Sequence, residues 1–402
     1  MRNFLLILLI CCIVFFDNIY NTILSVSGIY DNSGQMKYLC IGIFAIALFL
    51  YLPKYVLANL SIRRAHIKLY IWTAIIISLY CLSGLIYSGM PQEYTSSLLR
   101  VGSSCFAASL CGLMLSDSDD GADYLTMLLP FFTIALTIIV FVFAFSPFIM
   151  IKDSDYGWNY QSISYCMAYC FVLNAYCLIT KPTSINNFLA AFRNVMIAVT
   201  MFANVYLCLN AGGRGATVLL LLSIVFLCIF SLKRKLISCS RLLILFLIFV
   251  GCILIISNYM DLWSSDGFYR VTHMLERNTE EREKSYSDAL HFWLSSPIFG
   301  YGVGSIWHTV GFYSHNFLTD MLAETGLLGI CILGVVLIPA FVRVYLHSKY
   351  DSKSLFVIFY FSCDLIMHCF SGYWITSEAL WLMLGYSFSI SFVKQPELRN
   401  TK

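Results

Sequence analysis

The chain has 402 residues, of which 59% are hydrophobic and only 12% charged, whereas soluble domains average about 45–50% apolar and about 25% charged. A soluble core of this size cannot hide so much apolar surface; the net charge of +3 is small and by itself says nothing about nucleic acid, but no block of like charge is long enough to be a basic arm. The composition therefore predicts an all-α, polytopic membrane protein, a single integral domain over residues 1–402.

The N-terminus (Met1, Arg2, then Phe4 to Phe16) imitates a signal peptide but has no small-residue cleavage site, so it reads as an uncleaved first helix. At roughly 20 apolar residues per span, about twelve segments qualify: 4–26, 38–58, 69–87, 98–115, 124–148, 161–180, 192–210, 216–232, 242–258, 316–338, 354–371 and 377–393. Lys and Arg orient them. With the N-terminus in the cytoplasm, the inner segments hold Lys54, Arg63, Arg64, Lys68, Lys233 to Lys235, Arg241, Arg343 and Lys349 among others. The acidic stretch from Asp117 to Asp123 also falls inside, which is no conflict because acidic residues contribute little to topology.

The 16 cysteines lie almost entirely in apolar runs, Cys11, Cys12, Cys166, Cys170 and Cys177 being examples. Free Cys there acts as a small hydrophobe. With no CxxC pair at zinc spacing, neither a metal site nor a structural disulfide is expected.

Most loops are short. The exception is residues 259–315, a long loop on the outer side between the ninth and tenth spans. A structureless loop of that length is unusual in a compact protein. Tyr286, Leu290, Trp293 and Leu294 recur at helical spacing, with Glu281, Arg282, Lys284 and Asp288 around them, which predicts an amphipathic helix that can lie at the membrane surface.

Polar groups in expensive positions mark candidate chemistry, since a charged residue at a helix centre costs about 2.5–3.5 kcal/mol on insertion scales. Ala211-Gly212-Gly213-Arg214-Gly215-Ala216 joins the seventh and eighth spans with almost no loop. Small residues allow the tight turn, and Arg214 at the outer rim can grip phosphate oxygens in a bidentate manner. The plain alternative is an Arg snorkelling to the interface. Ser314-His315-Asn316 heads the tenth span, and Asn316, Asp320 and Glu324 follow at intervals of four on one helix face. His315 can donate to a phosphate or act as a base near neutral pH; otherwise the group is a helix cap with a structural polar face. The long loop adds Arg270, His273, Arg277, Arg282, His291 and His308, and the glycine-rich turn from Pro297 to Gly304. No strand precedes those glycines, so they are not a dinucleotide fingerprint. Asp153 and Asp155 can bind a divalent ion but read better as a solvated loop. Asp364 and His368 share a face of the eleventh span, as a structural pair or as part of a cavity lining.

Three stretches together resemble a known family. Gly213-Arg214-Gly215-Ala216, the turn Pro297 to Ser305, and His315-Asn316 separated by nine residues from Gly326-Leu327-Leu328-Gly329 are similar to the motifs of the O-antigen polymerase and O-antigen ligase superfamily of bacterial membrane glycosyltransferases. They occur in family order over about residues 200–335. Gly213 stands where many relatives have Ser.

The resemblance implies a multi-pass inner-membrane enzyme that needs no metal or other cofactor and acts at the periplasmic face. Its donor would be an oligosaccharide on undecaprenyl pyrophosphate. Arg214 and Arg270 would hold the pyrophosphate, and His315 would deprotonate the acceptor hydroxyl or contact the leaving group. Arg277, Asn316 and Glu324 would complete the substrate contacts. The implied partners are the lipid-linked glycan and membrane lipid, with a chain-length regulator protein among those it allows for. An O-antigen polymerase is favoured over a ligase that transfers the glycan to lipid A–core. A polysaccharide flippase or transporter is a third reading, disfavoured because transporters hold substrate near the midplane, often between related halves.

Overall fold

The computed structural model describes residues 2–16, 18–20, 22, 105, 107–116, 118, 120–145, 160–180, 186–233, 279–306, 313–372, 374 and 377–390. The regular elements among these residues are all helical: α1 (Arg2–Val14), α2 (Ala107–Ser116), α3 (Gly121–Phe145), α4 (Tyr160–Ile179), α5 (Asn187–Ala211), α6 (Arg214–Lys233), α7 (Thr279–Ser295), α8 (Phe317–His347), α9 (Ser352–His368) and α10 (Glu378–Ile390). Gly121–Val142 within α3, together with α4, α5 and α8, are long and apolar enough to cross a membrane. Shorter apolar helices occur at Asn3–Val14, Ala107–Ser116 and Arg214–Phe230. The expected spans 38–58, 69–87 and 242–258 lie outside the described residues.

Boundaries shift for identifiable reasons. The span expected at 192–210 begins earlier because Asn186 caps α5, its side chain accepting from Leu189 N–H at 2.9 Å. The span expected at 316–338 runs on to His347 in α8 and is broken at Gly326, whose φ of 62° and ψ of −172° are not helical.

The chain forms two compact units. One gathers described residues 2–22, 120–233 and 362–367; the other gathers 105–118, 280–361 and 368–390. Helix α9 contributes to both.

In the first unit α4 is central, mostly buried, with α3, α5 and α6 packed against it. Helix α1 packs on α3, where Phe15 and Phe132 stack with ring centroids 5.7 Å apart. Apolar contact alone gives membrane helices little reason to pair, so hydrogen bonds add specificity. Thr133 donates to Asn174 Oδ1 at 2.7 Å and Thr137 to Asn204 Oδ1 at 2.6 Å, all four buried. On α5, Phe188, Phe192, Val195 and Val199 point away from this core, as expected of a lipid-facing surface.

Pro130 removes the amide that would bond the Thr126 carbonyl one turn earlier in α3. Arg193 takes its place. Its guanidinium donates to Thr126 O through Nε (3.1 Å) and Nη2 (2.7 Å), and to Cys177 O in the last turn of α4 at 3.0 Å. One cation thus satisfies a proline-orphaned carbonyl and the negative end of a second helix.

In the second unit α2 and α10 cross with their backbones nearly touching. A Cβ on Gly112 would lie 2.0 Å from Leu382 O, and one on Gly385 would lie 1.8 Å from Ser109 O, a small-residue crossing of the kind favoured in membranes. Helix α10 also packs on α8. Lys353 donates to Ser116 O and Ser118 O, both at 2.8 Å, and so caps the end of α2. The α8–α9 corner is closed by the Tyr386 hydroxyl, which donates to Asp351 Oδ2 at 2.5 Å, and by Ser354, which lies 2.8 Å from that hydroxyl and 2.9 Å from His347 Nδ1.

Candidate functional site

The candidate residues fall on both units, and each part is built from its own surroundings. In the first unit, α5 ends at Ala211, Gly212 turns the chain with a left-handed φ of 77°, and α6 starts at Arg214. The intervening Gly213 N–H donates to Ser164 Oγ on α4 at 2.9 Å, while that hydroxyl donates to Tyr160 O at 2.8 Å and lies 3.3 Å from Cys208 O. A Cβ at position 213 would meet both Cβ and Oγ of Ser164 at 2.6 Å. The glycine is therefore required by the hydroxyl that fixes the turn. Arg214, half-buried, is the first residue of α6. A guanidinium beside the positive end of a helix makes this corner attractive to an anion.

The second unit carries a broken helix and a glycine turn that interlock. Breaking α8 at Gly326 orphans carbonyls before the break and amides after it. The turn supplies four of the missing partners: Tyr301 N–H donates to Ala323 O (3.0 Å) and Gly302 N–H to Glu324 O (2.8 Å), while Leu327 N–H donates to Pro297 O (2.9 Å) and Leu328 N–H to Ile298 O (3.0 Å). The fit leaves no room for side chains. A Cβ on Gly300 would stand 2.4 Å from the Glu324 carbonyl, and one on Gly326 would stand 2.3 Å from Ile298 O. Both glycines also have positive φ, 70° and 62°, where other residues are strained. The glycines that make no dinucleotide fingerprint are thus one half of a backbone joint.

Glu324 locks that joint. Its carboxylate has no solvent exposure; Oε1 accepts from Gly304 N–H at 2.8 Å and Oε2 from the buried Trp374 indole N–H at 3.1 Å. Trp374 also packs edge-on against Phe317, with centroids 6.5 Å apart.

His315 is the one non-glycine residue with positive φ (59°) among the described residues, and it is exposed. A left-handed L-residue costs roughly 1–2 kcal/mol, so its surroundings must hold it. Asp320 Oδ1 accepts from Ser314 N–H at 2.9 Å, Ser314 Oγ and Thr319 Oγ1 share a 2.6 Å hydrogen bond, and Asn316 caps α8 by accepting from Leu318 N–H at 3.0 Å. Strain retained by a dedicated network, on an exposed imidazole, is the pattern expected of a functional position.

The expected common face of Asn316, Asp320 and Glu324 resolves into three separate tasks: helix cap, clamp on the histidine turn, and lock on the glycine turn. Arg214 belongs to the first unit and His315 to the second. Arg270, Arg277, His273, His308, Asp153 and Asp155 lie outside the described residues. The Asp364 carboxylate accepts from the Tyr169 hydroxyl at 2.5 Å. Among the described residues no group of His, Cys, Asp and Glu side chains is arranged to hold a metal ion.

Sequence reasoning missed Ser164 and Trp374. Each lies about 50 positions from its partner, and nothing local distinguishes it from other residues of an apolar helix or loop.

Residues 197–334 match the family model described as O-Antigen ligase. The match begins within α5, passes through Arg214, and takes in the glycine turn, His315 and the break in α8. No curated protein and no solved structure matches the chain.

Proposed function

Taking as premise that residues 197–334 match the O-antigen polymerase and ligase superfamily, we propose that the protein is a membrane glycosyltransferase, an O-antigen polymerase. It transfers a growing glycan from undecaprenyl pyrophosphate to a lipid-linked repeat unit at the periplasmic face of the inner membrane. The observation that carries this reading is the strained, exposed His315, held by Asp320, Ser314 and Thr319 at the head of a helix whose break is sealed by a second family motif.

In this mechanism the acceptor hydroxyl attacks the anomeric carbon of the donor sugar. The bond from that carbon to the phosphate oxygen breaks, and undecaprenyl pyrophosphate leaves with the electron pair. His315 takes the acceptor proton. Arg214 and Arg270 bind the pyrophosphate and stabilise the charge that grows on it, so their interaction strengthens toward the transition state. Arg277 and Asn316 contribute to the glycan or pyrophosphate contacts. Glu324 acts on the same reaction by holding the glycine turn, because both of its oxygens are already occupied within the protein. The chemistry asks no redox or electrophilic help, since pyrophosphate is itself a good leaving group.

Deletion of the gene tests the assignment. A polymerase mutant retains lipid A–core capped by a single repeat unit. Bare core with accumulated lipid-linked chains would instead make the protein the ligase. Complementation with Arg214→Ala or His315→Ala, at wild-type protein level in the membrane, is expected to leave the deletion phenotype unchanged. Full-length polymer from both variants would refute the site.

A further inference from the structure

We infer that the C-terminal end of α7 and the turn after it form a membrane-seated wedge, with Leu290, Leu294, Ile298 and Phe299 inserted among the acyl chains of the leaflet at the His315 end of α8. All four side chains are exposed, Leu294 and Phe299 at 63% and 62%. Leu290 and Leu294 stand one helical turn apart on the outward face of α7, and Ile298 and Phe299 continue the line into the turn. The opposite side of α7 is otherwise engaged: Ala289 packs with Ile306 and Ala323, and Phe292 joins that cluster and meets Tyr301 edge-on at 5.2 Å.

The depth of this ridge follows from α8. From Leu327 to His347 the helix extends about 31 Å at 1.5 Å per residue, which matches the roughly 30 Å hydrocarbon core. Arg343 and His347 sit at the far end of that length, where basic residues are stable at the interface. The break at Gly326 therefore lies at the opposite boundary of the hydrocarbon, and Leu327 and Leu328, both exposed, are the first lipid-facing residues below it. The carbonyls of Pro297 and Ile298 are bonded directly to those two amides, at 2.9 Å and 3.0 Å, so Ile298 and Phe299 share that depth.

A polarity gradient along α7 agrees. The exposed residues of its N-terminal half include the charged Glu283 and Lys284, whereas its C-terminal half exposes the large apolar Leu290 and Leu294 beside the polar His291 and Ser295. A gradient of this kind suits a helix whose C-terminal end dips into a leaflet with its polar residues at the headgroup level. The occupant is the bilayer itself. The exposed Ile298 and Phe299 adjoin Leu327 and Leu328, the first exposed residues of a span, whereas a protein partner would call for a bounded patch with a polar rim.

This inference rests on the membrane assignment and not on the proposed activity, and its test reads lipid contact directly. Benzoylphenylalanine is introduced singly at positions 294, 299, 284 and 335 of the full chain, in cells whose phospholipids are radiolabelled, and the membranes are irradiated. Val335, 75% exposed on the second half of α8, is the lipid-facing reference. Labelled adducts at 294 and 299 are expected to approach those at 335 and to exceed those at 284 by at least about five-fold, because apolar but not charged positions enter the acyl region. Adducts at 294 and 299 no stronger than at 284 would overturn the wedge, as would equally strong adducts at all four positions. Because all four sites are exposed and the readout is adduct formation on full-length membrane-inserted protein, loss of polymer synthesis alone does not affect the result.

Discussion

Replacing Glu324 by Gln tests whether a carboxylate specifically locks the broken helix. Two groups that face it, Gly304 N–H at 2.8 Å and Trp374 Nε1–H at 3.1 Å, are both donors. A carboxylate accepts both. A carboxamide accepts one and presents its own N–H₂ to the other, donor against donor, in a place with no solvent exposure. Leaving one buried donor unpaired costs about 1–3 kcal/mol. Trp374→Phe alone is also destabilising, since it takes a hydrogen bond from one buried carboxylate oxygen and loses part of the contact with Phe317. In the Glu324→Gln background, however, Trp374→Phe removes the donor conflict. The double variant is therefore expected to be more stable than the sum of the single effects, by a coupling of about 1–2 kcal/mol. Multi-pass proteins commonly unfold irreversibly, so the useful measurement is the half-life at fixed temperature in detergent micelles. About 1.4 kcal/mol expressed in the unfolding barrier is a ten-fold change in that half-life. A Glu324→Gln protein with the wild-type half-life, or a double variant whose loss equals the two single losses added, would refute the lock.

Gly326→Ala is expected to lose more than Glu324→Gln, because the new Cβ meets the Ile298 carbonyl on top of about 1–3 kcal/mol of backbone strain; absence of folded protein in detergent by size-exclusion profile would be consistent, and a wild-type profile would not. His315→Gly should be about 1 kcal/mol more stable than His315→Ala, since only glycine tolerates the left-handed turn without cost, while neither variant makes polymer; equal thermal half-lives would contradict the strain. Asp320→Asn keeps an acceptor for Ser314 N–H, so it should retain more activity than Asp320→Ala when polymer length is compared on gels. Arg193→Ala should destabilise by about 1.5–3 kcal/mol, the worth of hydrogen bonds to a charged donor, and by clearly less in a Pro130→Ala background, where an amide again serves Thr126 O; identical losses in both backgrounds would show that the guanidinium does not replace the missing amide.

The helical membrane character and the family region were legible in the sequence because they depend on local composition and short spacing. Runs of about 20 apolar residues leave few options in lipid, and the Gly213–Ala216, Pro297–Ser305 and His315–Gly329 stretches carry their signal within a few positions. Even Gly326 and Gly300 were visible as motif residues. Their reason was not. That Gly300 abuts the backbone of Glu324, that Ser164 occupies the space beside Gly213, and that Trp374 reaches the Glu324 carboxylate are contacts between segments distant along the chain. Spacing of four placed Asn316, Asp320 and Glu324 on one face; the interruption at Gly326 and the cap at Asn316 then divided them among different partners. Periodicity reports only on neighbours a turn apart, whereas a broken helix must find its missing hydrogen-bond partners wherever tertiary packing brings another backbone, and here that backbone is the glycine turn.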